Sequence, residues 1–184
     1  YVQSVQQFDK GQFDEFLETF FRAIHSRYDI EKPVIKRLIR RKLGIINRLK
    51  EENRLLKEER RQQQERLKTY AEEYCRMGNE CITLAHDSKA ALANYDKALD
   101  LCPTLVEAWI RKGVTLHDEK NYHDAAHCFN EAVRLSPRLF KAVFNRGKNR
   151  LIMGDIEGAA SDLDRATTLK PEHIRAHELY GDAL

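Results

Sequence analysis

Residues 106–139 read VEAWIRKGVTLHDEKNYHDAAHCFNEAVRLSPRL. Trp109, Gly113 and Leu116 are spaced four and then three residues apart, which puts them on one face of a first helix. Ala125, Phe129 and Ala132 repeat that spacing on a second helix, with a small residue on either side of a large ring. Gly113 lacks the Cβ that would hold a neighbouring helix away. Pro137 closes the unit, because it cannot continue a helix. A helix pair of this size cannot bury its apolar face alone, so it must stack on others.

The same marks recur outward at a fixed step. Gly78, Gly113, Gly147 and Gly181 are separated by 35, 34 and 34 residues. Three further series, Ala91, Ala125 and Ala159, then Tyr95, Phe129 and Leu163, then Pro103, Pro137 and Pro171, each step by 34. A period of this length with this punctuation resembles the tetratricopeptide-repeat family. The resemblance covers residues 71–184, in units 71–105, 106–139 and 140–173 with a partial unit 174–184. Unit two holds the family's signature at Trp109, Gly113, Leu116, Ala125, Phe129, Ala132 and Pro137, with Lys112 as a departure. Unit one has one extra residue, expected in the turn near His86 to Lys89. Unit three places Arg146 and Arg150 where the family is apolar, so its first helix carries the weakest part of the resemblance. The apolar half-unit at the end, with Tyr1 in place of a Met, reads as a fragment of a longer chain or as a surface that another subunit covers.

The fold class implied is all-α: a right-handed superhelical array of helix pairs whose concave surface is lined by the first helix of each unit. Carried over position by position, the resemblance puts Asn79, Ile110, Arg111, Val114, His117, Lys141, Phe144, Asn145, Lys148 and Arg175 in that groove. Its mixed apolar and basic character fits a protein or peptide ligand with an acidic or carboxylate end. Some family members clamp the acidic tails of Hsp70- and Hsp90-type chaperones with Lys or Arg, Asn, Asn, Lys and Arg. The matching positions here hold Cys75, Asn79, Arg111, Lys141 and Asn145. Only Asn79 and Lys141 agree, so a co-chaperone with a degenerate clamp ranks behind a general adaptor.

Two further segments precede the repeats, residues 1–30 and 31–70. In the first, Phe13, Phe16, Phe20, Phe21 and neighbouring aliphatics predict a short amphipathic helix over about Gln12 to Ser26. Pro33 suits the first turn of a new helix, and nothing but Gly44 weakens that helix before His86. From Ile46 it carries an imperfect heptad pattern, with Ile46, Leu49, Asn53, Leu56 and Leu67 as candidate self-association residues. Between Lys32 and Lys50 lie eight basic residues, Lys36, Arg37, Arg40, Arg41 and Lys42 among them, and no acidic one. This strip reads as a nuclear import signal, an anionic lipid or nucleic-acid strip, a calmodulin-like target, or a solvated face. Without an aromatic residue for stacking, nucleic acid is disfavoured, and a membrane surface ranks behind a protein partner. Residues 1–70 carry 17 Lys and Arg against 11 Asp and Glu, and the remainder 15 against 18.

No catalytic constellation and no phosphate loop is legible, which points away from an enzyme and from any cofactor. His123 and His127 stand four apart beside Cys128, but no fourth metal ligand is in register. The four cysteines, with no CxxC pair, read as free thiols of a reducing, cytoplasmic compartment, with the nucleus as the alternative.

Overall fold

The computed structural model describes residues 18–20, 22–23, 26–27 and 32–184, with positions 32 and 35 described by their backbone. The long elements are all helical: α1 (Lys32–Ala85), α2 (Ser88–Leu101), α3 (Val106–Asp118), α4 (Tyr122–Leu135), α5 (Phe140–Met153), α6 (Ile156–Leu169) and α7 (Ile174–Asp182). The chain divides into two compact units, Tyr1–Arg60 and Arg61–Leu184.

In the second unit the helices pair at every step of the period. The second helix of each pair starts at a side-chain cap: Asp87, Asn121 and Asp155 accept from the backbone N–H groups of Ala90, Asp124 and Gly158. Each cap satisfies an amide that a helix start leaves unpaired. Just before each cap the chain enters the left-handed region, at His86 (φ 51°), Lys120 (φ 64°) and Gly154 (φ 83°). Gly154 adopts that conformation freely, and the two side-chain-bearing residues do so at a cost of about 1–2 kcal/mol.

These turns relocate the extra residue of unit one. His86, Lys120 and Gly154 are themselves 34 apart, so the turn is unchanged and the insertion lies before it. The amide of Asp87 reaches back six residues to the Cys81 carbonyl at 3.0 Å, whereas Asn121 and Asp155 reach back five, to Leu116 and Arg150. The last turn of α1 absorbs the residue as helix, not as loop, because one more helical residue keeps its hydrogen bonding.

The core follows the small–large–small pattern. Ala91, Ala98, Ala125, Ala132, Ala159 and Ala166 are fully buried around Tyr95, Phe129 and Leu163. A Cβ built at Gly78 would stand 2.5 Å from the Tyr95 ring, and one at Gly113 2.7 Å from the Phe129 ring. The missing side chain therefore sets the distance between the two helices of a pair.

Unit three keeps its first helix in spite of the two arginines. α5 is an unbroken helix of 14 residues. Arg146 reaches Asp162 on α6 with two hydrogen bonds of 2.7 and 2.6 Å, and Arg150 adds a third of 2.8 Å. Asp162 is 1% exposed, so a buried carboxylate with a forked guanidinium partner replaces the apolar contact. Lys112 behaves similarly, donating to Asp96 at 2.5 Å. Burial opposes the charge on Lys112, but the Asp96 hydrogen bond and charge outweigh it and raise its pKa.

In the first unit, α1 runs through Gly44 without a break. The expected Phe-rich helix lies largely outside the described residues. Of its span, residues 18–20, 22–23 and 26 are described and helical. Glu18 stands 3.7 Å from Lys36.

Candidate functional site

Two depressions lie along the first helices of the repeats and meet at Arg111 and Val114 on α3. One is lined by Asn79 and Ile82 of α1, Tyr95 of α2, and Thr115 and Asp118. The other is lined by Glu107 and Ile110 of α3, Phe140, Lys141, Phe144 and Asn145 of α5, and Lys170 and His173 from the segment between α6 and α7. Seven of the ten groove positions expected from sequence line this surface: Asn79, Ile110, Arg111, Val114, Lys141, Phe144 and Asn145.

Polar side chains along the two depressions are mostly held in place. The Tyr95 hydroxyl donates to Asn79 Oδ1 at 2.9 Å. Arg111 pairs along its own helix with Glu107 at 2.7 Å while remaining half exposed. Asn145 donates to the Lys141 carbonyl at 2.7 Å, so its side-chain oxygen is the group it can offer. Cys75, at the position of the clamp's first cation, is 4% exposed, and burial raises its thiol to about 11. It supplies no positive charge.

The second depression has an aromatic wall. Phe140 and Phe144 stack at 5.4 Å between ring centres, and His173 packs against both at 4.7 and 5.0 Å. The Lys170 ammonium sits 5.6 Å from the Phe140 ring centre, a cation–π distance. Three cations, on Arg111, Lys141 and Lys170, surround these rings against one carboxylate, Glu107. Phe140, Lys170 and His173 were not among the residues singled out from sequence. Lys170 and His173 fall between helices, where a reading confined to the first helix of each unit does not look. Their spacing from Pro171 was the available signal.

Three expected groove residues stand elsewhere. His117 is 8% exposed; its Nδ1 is 2.8 Å from Asn149 Oδ1, and its ring packs edge-on to Tyr122. Asn149 in turn donates to the Tyr122 carbonyl at 2.9 Å, so His117 joins an interior polar link between units two and three. Arg175 is exposed and pairs with Glu178 at 2.9 Å on α7. Lys148 is half-buried and lines neither depression. On α1, the self-association candidates Ile46, Leu49, Asn53, Leu56 and Leu67 and the basic residues Lys36, Arg37, Arg40, Arg41 and Lys42 are all exposed. His123 and His127 are exposed too, with the His127 ring edge-on to Trp109. No group of three His, Cys, Asp or Glu among the described residues is placed to hold a metal ion. No described helix is long and apolar enough to cross a membrane.

Comparisons with known proteins fall on the same architecture. The tetratricopeptide repeat family profile matches residues 106–139. Mouse "Tetratricopeptide repeat protein 36" is 34% identical over 86 residues, 47% of this chain and 41% of that protein. The chain thus spans about two fifths of the length of the curated relative it matches. Among solved structures, the first repeat domain of Spaghetti (RPAP3) bound to the HSP90 peptide SRMEEVD superposes with a TM-score of 0.61 at 22% identity, covering 63% of this chain and 91% of that one. The TPR2B domain of yeast Sti1, in complex with pHsp70, gives 0.58 at 21% identity, with 62% and 96% covered. At such identities the likeness is one of fold. With the 34-residue period, the glycine-to-aromatic contacts and the repeated capped turn, it gives residues 71–184 the fold of tetratricopeptide-repeat domains, with the family's own pattern matched at residues 106–139.

Proposed function

We propose that this chain is a non-catalytic adaptor that holds an acidic peptide segment of a partner protein along α1, α3 and α5. The observation that carries the reading is the second depression, where Arg111, Lys141 and Lys170 ring the stacked Phe140, Phe144 and His173. Such a surface offers apolar area to one side of a peptide and charge-assisted hydrogen bonds to its carboxylates. A chaperone tail is the narrower version. Solved structures alike in fold are in complex with an HSP90 peptide and with pHsp70, but Cys75 leaves this chain without the first cation of the clamp that the family resemblance implies.

A calorimetric titration with the peptide SRMEEVD, beside its C-terminal amide, separates the two levels. Each charge-assisted hydrogen bond is worth about 1.5–3 kcal/mol, so Lys141→Glu should weaken capture on the order of 10- to 100-fold. Binding of the free acid alone supports the chaperone reading. Equal binding of acid and amide, still lost in Lys141→Glu, supports an adaptor for internal acidic segments. Affinity unchanged by Lys141→Glu and Arg111→Glu together removes the groove from the function.

A second reading concerns α1. Ile46, Leu49, Leu56 and Leu67 stand 41, 52, 49 and 39% exposed at heptad spacing around Asn53. An exposed stripe of this kind favours pairing with a second copy of the same helix.

A further inference from the structure

The N-terminal part of α1 carries a second row that shares only Leu49 with the heptad pattern. Val34, Leu38, Ile45 and Leu49 are 46, 55, 40 and 52% exposed. At about 100° per residue they fall within about 60° of one another around the helix. Arg41, Arg48 and Arg37 border this row on one side within about another 60°, and Lys42 borders the other. All four cations are exposed, and no acidic residue occurs from Lys32 to Lys50.

We propose that this face of α1 lies in the plane of an anionic lipid surface, with the apolar row at the acyl boundary and the flanking cations among the headgroups. Peripheral helices of this kind combine an apolar strip with basic margins, and each half of the pattern strengthens the other. The long stems of Arg and Lys let the charge rise to the headgroups while the carbon chain stays against lipid. The same stretch is a poor fit to the other candidate occupants. Nucleic acid would satisfy the cations but would leave the apolar row in water, and no aromatic residue is present to stack on bases. A parallel second copy would set two margins without a carboxylate side by side, and coiled-coil pairing relies on opposite charges there. The inference is independent of the peptide groove, none of whose residues it uses.

The test is co-sedimentation of the whole chain with vesicles of phosphatidylcholine alone, and of phosphatidylcholine with about 30% phosphatidylserine. Binding is expected to the mixed vesicles only, and to fall steeply as the Debye length shrinks from about 10 Å to about 3 Å between 0.1 and 1 M salt. Arg37→Glu, Arg41→Glu and Arg48→Glu together should weaken it by at least on the order of 100-fold. Val34→Ser, Leu38→Ser and Ile45→Ser together should weaken it at least about tenfold. These positions are exposed, so an unchanged helix signal in circular dichroism should accompany both variants. The proposal is overturned if the mixed vesicles are not bound, or if the serine variant binds as well as the parent chain. It is equally overturned if a single-stranded oligonucleotide is bound in preference to the vesicles.

Discussion

Asp162 is the residue whose removal should cost most. Its carboxylate is 1% exposed and takes three hydrogen bonds from Arg146 and Arg150, whose side chains are 16 and 30% exposed. Asp162→Ala leaves the Arg146 guanidinium half-buried without its anion and Arg150 with Asp155 alone, at 3.4 Å, and breaking a buried pair in this way costs about 3–5 kcal/mol. Asp162→Leu combined with Arg146→Leu and Arg150→Leu should recover most of that loss, because unit one carries the uncharged Met77 and Asn94 at the positions of Arg146 and Asp162. Urea denaturation of the two variants checks both statements. A loss below about 1 kcal/mol in Asp162→Ala would show that water, not Asp162, stabilises the arginines. The two arginines were visible in the sequence as departures from an apolar pattern. Their partner was legible in principle, since Asp162 stands immediately before Leu163 as Arg146 stands before Gly147. It was missed because the arginines were read along one helix, whereas ion pairs are made across two.

At the scale of elements, period and punctuation located the helix pairs because they report backbone constraints: a glycine where helices touch, a proline where one ends. The turns were read less well. Asp87, Asn121 and Asp155 are capping residues in series, and reading them would have placed the extra residue of unit one inside α1. The groove was legible where it is made of helix faces and illegible where Lys170 and His173 reach into it from a connection. The exposed stripe on α1 carries its own prediction. Leu49→Glu with Leu56→Glu should abolish self-association in sedimentation equilibrium and leave groove affinity unaltered. If the parent chain is already monomeric at high micromolar concentration, the pairing reading falls.

For the whole molecule, the buried thiols give stability a pH dependence on the alkaline side. Burial raises Cys75 and Cys128 from an ordinary value of 9.0 to about 11, with Lys112 partly offsetting the effect at Cys128. Above about 9 the unfolded chain releases these protons while the folded chain keeps them. Their contribution is therefore fully present below about 9 and is lost as pH rises through about 11, on the order of 3 kcal/mol per thiol. Denaturation midpoints at a series of pH values should fall over that window in the parent chain. In a Cys75→Ala, Cys128→Ala variant the fall should be shallower, and an equal slope would assign it to other groups.

The turn shared by the three units has a consequence for how such a chain can change over generations. A left-handed residue followed by a capping Asp or Asn keeps the next helix in phase whether the preceding helix has gained a residue, as α1 has, or not. A codon inserted near the end of a first helix is then a nearly silent event, while one inserted between the glycine and its facing ring moves every contact downstream. Length variation among copies of this repeat should accumulate just ahead of the turn, so that the array can lengthen and diversify without losing its stacking.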